Sequence, residues 1–485
     1  IGLINSSFIS ITQCLFQNQR NAGVLLFRSS DCLISGNTFI NSAVDGTETD
    51  NTELGLDISV IYSSSRNIIT ENKINSGNGT GIGINSIDSL SNADDNVISN
   101  NVISNCVVYG IHNYRNGIGP SDAFTVKRNV ISGNTIKNVS GNIINITTGT
   151  YTFGSGIYMQ GAEDCIVTGN SVKNTHSAAV TFATTLVPAG IGVTNSSRVT
   201  VSNNRIDEDG SAGIWIDDSN GYGELLGYGI ISNNSVMNIA GQGIRGLNRG
   251  RLTITDNVVD TTSSFGISIG NTSAFSDISI NGNKLRNVSN TAINVDFCDG
   301  ISVDGNTVDT ASVHGISVAN STNASVVNNL VFNQTSRGIT ILSSTAGCRV
   351  SDNTVIGTGS SLSGIALFTR VSLGENVISG CTNVFEGGFS PFKEVLGVNS
   401  ATPSVGYGKF FKTLNTSPTT ITNLTGAISG QEVQIVAGDT NTTIGFSGSN
   451  MKGNNGVDLT MVVGDSIRCV FNLNLSAWTC VVSEI

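Results

Sequence analysis

Residues 338–357 read GITILSSTAGCRVSDNTVIG, and their order of Gly-Ile strand start, inward aliphatic and Asn-punctuated turn recurs along most of the chain. With Asn353 as the marker, equivalent residues precede it at Asn329, Asn306, Asn283, Asn257, Asn234, Asn204, Asn170, Asn134, Asn101, Asn72 and Asn37, and Asn376 follows. A strand-forming aliphatic stands three positions before each marker, from Ile34 and Ile69 to Val326, Val350 and Leu373. A second apolar residue stands two positions after it, from Phe39 and Ile74 to Val355 and Ile378. Cys14 replaces the Asn but keeps Ile11 and Phe16 around it. The steps from Asn283 to Asn306, Asn329 and Asn353 are 23, 23 and 24 residues. A fixed period built from short β-branched strands is the mark of a solenoid, and three strands and three turns fit each step, so the chain reads as a parallel β-helix of about 14 coils. Asn is expected at the turn because it tolerates the left-handed conformation and its stacked amides can bond from coil to coil. The column is structural, since catalysis needs one or two positions and not every coil.

A solenoid buries its apolar residues in one continuous line, so 485 residues need not divide into several globular domains. The repeat spans 1–388. It fades through a Gly/Ser/Pro-rich linker at 389–404, and 405–485 shows alternating runs (EVQIV, TTIGF, LTMVV, IRCVF, WTCVV) that indicate a small antiparallel sandwich or barrel. The balance of 24 Lys and Arg against 35 Asp and Glu gives a net charge of −11, which disfavours a phosphate-backbone partner. No run approaches the ~18 apolar residues of a membrane span. The start, IGLINSSFISITQC, has no initiating Met, and with Ile11 already in register it reads as beginning inside a coil. The 9 Cys have no metal-ligand spacing and read as buried thiols, with Cys32, Cys165 and Cys348 at one repeat position. Cys469 and Cys480 would face each other across a hairpin around Asn474, as Phe471 faces Trp478.

Coil length varies in an ordered way. From Asn234 onward coils are near minimal, whereas insertions at 43–53, 114–125, 139–155, 183–196 and 217–226 lengthen the earlier ones. Insertions in a repeat protein map to loops and often mark the binding face.

The segment 407–485, with TTITNLTGAISGQEVQIVAGDTNTTIGF, LTMVVGDSIRCVFN and the late Trp478, resembles the small C-terminal β-domain of bacteriophage tailspikes. The coils resemble the pectate-lyase-like right-handed β-helix that such tailspikes carry. Together the resemblances cover nearly the whole chain. They imply a homotrimeric virion fibre, assembled in the host cytoplasm and joined to the phage tail or baseplate through a missing N-terminal part. Such a fibre binds, and often cleaves, a bacterial surface polysaccharide: an LPS O-antigen, capsule or exopolysaccharide.

The third residue of the Gly-Ile strand should point outward. In order it reads Leu25, Asp57, Gly83, His112, Tyr158, Thr181, Trp215, Arg245, Ser268, Asn294, Ser317, Thr340 and Ala366. Its middle carries bulky groups, and Tyr158 and Trp215, two coils or ~10 Å apart, would suit consecutive sugar rings. The other reading is that the insertions bury them as a satellite core. His112, Tyr114, Arg115, Tyr158, Trp215 and Arg245 are thus the expected substrate-binding residues. Glycosidic hydrolysis needs two carboxyl groups ~5 to 9.5 Å apart, and Glu163 or Asp164 with Asp217 or Asp218 would supply them. Asp207, Glu208 and Asp209, or Asp57 with His112, are weaker sets. A lyase would instead use His112, Tyr114, Arg115, Lys127 and Arg128 to abstract a proton beside a uronate carboxylate. No cofactor is expected, although the acidic loop with Asp45, Glu48, Asp50 and Glu53 could hold Ca²⁺ without having a recognised calcium spacing. The sequence is therefore read as a tailspike that binds and hydrolyses surface polysaccharide, with an inert receptor-binding spike and a lyase or epimerase as rivals.

Overall fold

The computed structural model describes residues 1–19, 22–41, 55–76, 79–86, 92–115, 126–140, 154–175, 189–217, 228–247, 250–342, 347–368, 371–386, 392–393, 396–405, 410–427 and 429–483. They form two compact units, one of Ile1–Ala366 with Gly374–Val384, the other of Leu367–Leu373 with Phe385–Ile485.

The first unit is a parallel β-solenoid of about 14 turns. One coil shows the plan: Ala189–Thr194, Val199–Ser202 and Arg205–Asp207 are followed by Ala212–Asp217, which opens the next coil. Each strand pairs in parallel with its counterpart one coil on, giving three stacks, here the first, second and third in coil order. The two aliphatic columns of the sequence point inward. Ile98, Ile131 and Val201 of the second stack and Ile103, Ile136 and Ile206 of the third are wholly buried, each contributing about 1.5–3 kcal/mol. The Gly-Ile start of the first-stack strand has a steric cause: a Cβ at Gly315 or Gly338 would collide with Val331 or Val355 of the third stack and with the carbonyl of the glycine in the next coil.

The marker Asn is structural, but not for the conformational reason. Left-handed backbone belongs to the residue before it, as at Gly133, Asn203, Asn233, Gly282 and Asn328, while the Asn itself is buried inside the corner. Asn283 shows the bonding: its Nδ2 donates to Asn306 Oδ1 at 3.0 Å and to the Ile254 carbonyl at 2.9 Å, and its backbone N–H donates to the same Oδ1 at 3.0 Å. The chain of amides runs from Asn37 to Asn376. Exactly because the amide fills the corner, the turn never lengthens: two residues separate the second-stack and third-stack strands from Leu33–Ser35 and Thr38–Ile40 to Cys348–Ser351 and Thr354–Leu367. A second, shorter ladder lies five residues earlier, where Cys32 N–H donates to Asn67 Oδ1, Asn67 Nδ2 to Asn96 Oδ1 and Asn96 Nδ2 to Asn129 Oδ1.

The second unit has its own core around Trp478, whose Nε1 donates to the Leu424 carbonyl at 2.9 Å. Leu396, Val433, Ile435 and Ile467 are buried in the same cluster. Glu432–Val436, Ser466–Asn472 and Ala477–Ser483 form an antiparallel trio, but Phe410–Lys412 and Met451–Lys452 join it in parallel, so the sheet is mixed. Alternating hydrophobicity reports which face is buried and carries no pairing direction. Cys469 pairs with Cys480 and Phe471 with Trp478 in the hairpin register, and both thiols are free.

Two substitutions test this architecture by chemical denaturation. Asn283→Ala should cost at least ~1–3 kcal/mol, because the buried Asn257 N–H loses its acceptor. Val326→Asp should cost several kcal/mol through an unpaired buried charge, whereas Asp at the neighbouring outward Ser325 should be mild. Equal tolerance at 325 and 326 would overturn the inward and outward assignment.

Candidate functional site

Strand register fixes the outward column of the first stack. It runs Leu25, Ser59, Gly83, His112, Tyr158, Gly192, Trp215, Arg245, Ser268, Asn294, Ser317 and Thr340. Two expected members are displaced. Gly55-Leu56 mimics the Gly-Ile start, but Ile58 pairs with Val24, so Ser59 and not Asp57 takes the position. Thr181 lies outside the described residues, and Gly192 occupies its coil. A Cβ at Gly192 would sit 3.0 Å from Tyr158 Cδ2, so the missing side chain makes room for the ring. Tyr158 and Trp215 are two coils apart, as expected.

Four rings gather on this stack. His112 stacks on Tyr109 at 4.5 Å and on Tyr114 at 4.8 Å between centroids, and Tyr109 stacks on Tyr158 at 5.1 Å. His112 touches all three other rings, and Tyr109, absent from the expected set, links it to Tyr158; the only sequence signal for Tyr109 was its place two residues before the inward Ile111. The Tyr158 hydroxyl lies 2.9 Å from Thr194 Oγ1 and donates to Gln160 Oε1 at 3.2 Å. In the column of Tyr158's hydrogen-bonding partners, Tyr114, Gln160, Thr194 and Asp217 follow one another in register. Arg245 stands beside Trp215, with Cζ 6.0 Å from the ring centroid.

Burial sets the protonation states. It pushes His112 down to about 3, and His112 Nε2 has no hydrogen-bond partner among the described residues, so the imidazole is neutral in ordinary buffers. Burial raises the Tyr109 and Tyr114 phenols. It also raises Tyr158, where the Thr194 hydrogen bond works against it and the charge of Asp217 adds to it. Burial lowers Arg245, opposed by the charge of Asp217. Strand register sets Asp217 beside Thr194 on one side and Leu247 on the other.

The stacking role expected for the aromatics is corrected by their burial. Trp215 is 0% exposed and Tyr158 3%, so neither offers a free face to a sugar. Trp215 packs with Ala189 and Ala212, and Tyr158 with Val108 and Tyr109; both rings belong to satellite cores. The small residues Ser317 and Thr340 at the C-terminal end of the column are also covered.

Glu163 and Asp164 are committed elsewhere. Asp31, Arg66, Asp95, Arg128, Asp164 and Arg198 occupy one left-handed turn position in successive coils. Bidentate pairs join Arg66 to Asp31, Arg128 to Asp95 and Arg198 to Asp164. Glu163 bridges Lys127 at 2.6 Å and Arg198. Burial alone would raise the Glu163 carboxyl, but its hydrogen bonds to Lys127 and Arg198 bring it below the usual range, and the Arg198 hydrogen bond lowers Asp164. A general acid needs the opposite shift. The same pairs withdraw Lys127 and Arg128 from the lyase set. Asp207 bonds Asn238 at 2.8 Å and Glu208 pairs with Lys173 at 3.2 Å. Asp209 is raised to about 7 by burial, opposed by hydrogen bonds from Thr175 and the Ser211 and Gly210 amides; it serves its own turn. Asp218, the Arg115 side chain and the acidic loop of Asp45, Glu48, Asp50 and Glu53 lie outside the described residues. Among the described residues no group of three metal-ligating side chains occurs.

The right-handed β-helix region family matches residues 1–153, 121–275 and 227–383. No curated protein matches the sequence. Among solved structures, the chain is similar to the A-module of mannuronan C-5 epimerase AlgE4 from Azotobacter vinelandii, at 13% identity and TM-score 0.45 over 74% of this chain and 91% of that one. It is similar to PfbA, a surface adhesin of Streptococcus pneumoniae, at 12% identity and TM-score 0.41 over 67% and 84%. The Dettilon tailspike protein is similar at 14% identity and TM-score 0.32 over 66% and 62%.

Because His112 is held neutral, its ring carbon resonances should stay flat in NMR from pH 8 down to about 4, and a titration near its ordinary value would show Nε2 open to water. The unfolded chain binds this proton near pH 6.5 and the folded chain near 3. Stability is therefore complete above that window and falls as pH drops through it.

Proposed function

We propose, for a chain that belongs to the right-handed β-helix family, that it modifies an acidic bacterial surface polysaccharide by proton transfer beside a uronate carboxylate, as a lyase or epimerase does. One observation carries the reading: a neutral imidazole, its Nε2 without a partner among the described residues, stands among three phenols, and a half-buried guanidinium follows four coils on in the same column. Removing a proton next to a carboxylate requires a base at the carbon and a cation that neutralises the charge building on the carboxylate. His112 Nε2, buried and without a partner among the described residues, is the base this reading assigns, and a sugar must displace what covers it. Arg245, held against the Trp215 face four coils or ~19 Å along the column, binds the carboxylate of a uronate farther along the same chain and not of the sugar at His112, and burial strengthens its attraction for an anion. Tyr114 stays protonated because burial raises it, so its phenol can return a proton to the sugar. Trp215 acts here as the support of Arg245 and not as a sugar platform.

Hydrolysis is less well supplied. Of the four acids first considered, Glu163 and Asp164 hold Arg198, which leaves Asp217 as the described carboxylate near the cluster, and a glycosidase needs two.

The setting we propose is that of a phage tailspike: a homotrimer assembled in the host cytoplasm and carried on the virion. The order of a coil unit followed by a smaller all-β unit supports it.

Incubation with uronate-containing capsule or exopolysaccharide should yield unsaturated uronate, or inversion at the carbon beside the carboxylate seen by NMR. His112→Gln should lower turnover by about 10²–10⁴-fold, Arg245→Gln should raise KM more than it lowers turnover, and Tyr114→Phe should affect turnover more than binding. Release of reducing ends without unsaturation, abolished by Asp217→Asn but not by His112→Gln, would replace this reading with hydrolysis.

A further inference from the structure

The outward positions of the second stack form an apolar row. Leu33, Ile68, Val97, Val130, Ile166, Thr200 and Ile230 are in register over seven successive coils. Ile68 is 45% exposed, Ile166 40% and Ile230 38%. Two positions along each strand runs a parallel hydroxyl row, in which Ser99 donates to Thr70 and Ser202 to Thr168, both at 3.1 Å. Single exposed aliphatics need no explanation, but six in seven coils, giving way to Thr253, Ser279 and Ser302 beyond Ile230, do.

We infer that this second stack is the surface through which copies of the chain associate; the inference says where the subunits of the proposed homotrimer meet and rests on that part of the reading. Three features point to a second copy as the occupant. The first is relief. The corner between the second and third stacks keeps its two-residue turn in every coil of the series, so no insertion stands along that border, whereas the insertions of the sequence enter at the two corners that border the first stack, 114–125 and 217–226 of them on the row's other side.

The second feature is charge. The other border of the row is the Asp–Arg ladder, in which carboxylates and cations alternate and pair internally. On a chain of net charge −11, such a strip is where like copies can approach without like-charge repulsion. The third stack differs: its outward positions carry exposed Lys73, Lys137, Lys173 and Arg205.

The third feature is size and pitch. Six coil steps of ~4.8 Å give a row ~29 Å long, and with its borders ~20 Å across it offers roughly 600 Å² per chain. That approaches the ~800 Å² per partner of a standard interface. A row that repeats at the coil pitch is matched in spacing by the same row on another copy.

The test is native mass measurement of the full chain and of the double variant Ile68→Glu/Ile166→Glu, with circular dichroism as the fold check and Lys137→Glu as a third-stack control. The parent and control should be trimers and the double variant a monomer with unchanged strand signal. Carbene footprinting of the parent gives a readout that needs no variant: labelling of Ile68, Ile166 and Ile230 should fall several-fold between dilute monomer and assembled protein. A double variant that remains trimeric, or a row labelled equally in both states, overturns the inference and leaves the trimer standing. A parent that is monomeric at all concentrations removes the trimer and the inference together, while uronate turnover, measured separately, decides the catalytic reading.

Discussion

The need to satisfy buried polar groups at one tight corner governs the coil unit. A two-residue turn between the second and third stacks brings backbone N–H groups inside the solenoid, where water cannot reach them and an unmade bond costs ~1–3 kcal/mol. The marker Asn answers this with a side chain that is both donor and acceptor, so a single amide serves its own coil and the next. Its length is fixed, and that fixes the turn. A corner of fixed length holds the aliphatic columns on either side in register, and variation is displaced to the other two corners.

This division of labour accounts for how much could be read in the sequence. The coil, its period and both inward columns were legible because the Asn and its flanking aliphatics are separated by constant short intervals. The first stack was less so. Its strand follows segments of variable length, and the Gly-Leu at Gly55-Leu56 imitates the true start, which displaced Asp57 into a column that belongs to Ser59. The Asp–Arg ladder was equally visible in principle, with one charged residue beside each second-stack strand, yet its partners lie 33 to 35 residues apart and pair only once coils are stacked. Glu163 therefore looked like a free acid. Trp215 looked exposed because strand alternation tells which way a side chain points, and not what lies over it.

The first stack then carries a different kind of chemistry from the rest of the coil. Along the Asn and Asp–Arg ladders polar side chains close on one another in repeating pairs. Around His112 that pattern is not repeated: a ring nitrogen has no partner among the described residues, and one imidazole and three phenols gather within two neighbouring coils. Breaks in a regular pattern are where a repeat protein departs from self-consistency, and such departures fall at functional sites.

The Asn ladder also has a direction. From Asn37 to Asn353 each Asn in it offers its backbone N–H and one side-chain N–H toward the coil that follows in the chain and receives on its side-chain oxygen from the coil before, while Nδ2 also donates to a carbonyl behind it. The amide dipoles point one way along the solenoid and reinforce each other. During synthesis, the newest coil always presents dangling donors, and the acceptor that quenches them is the next Asn to leave the ribosome. The column grows as a polar filament grows, from one end, in the order in which the chain is made.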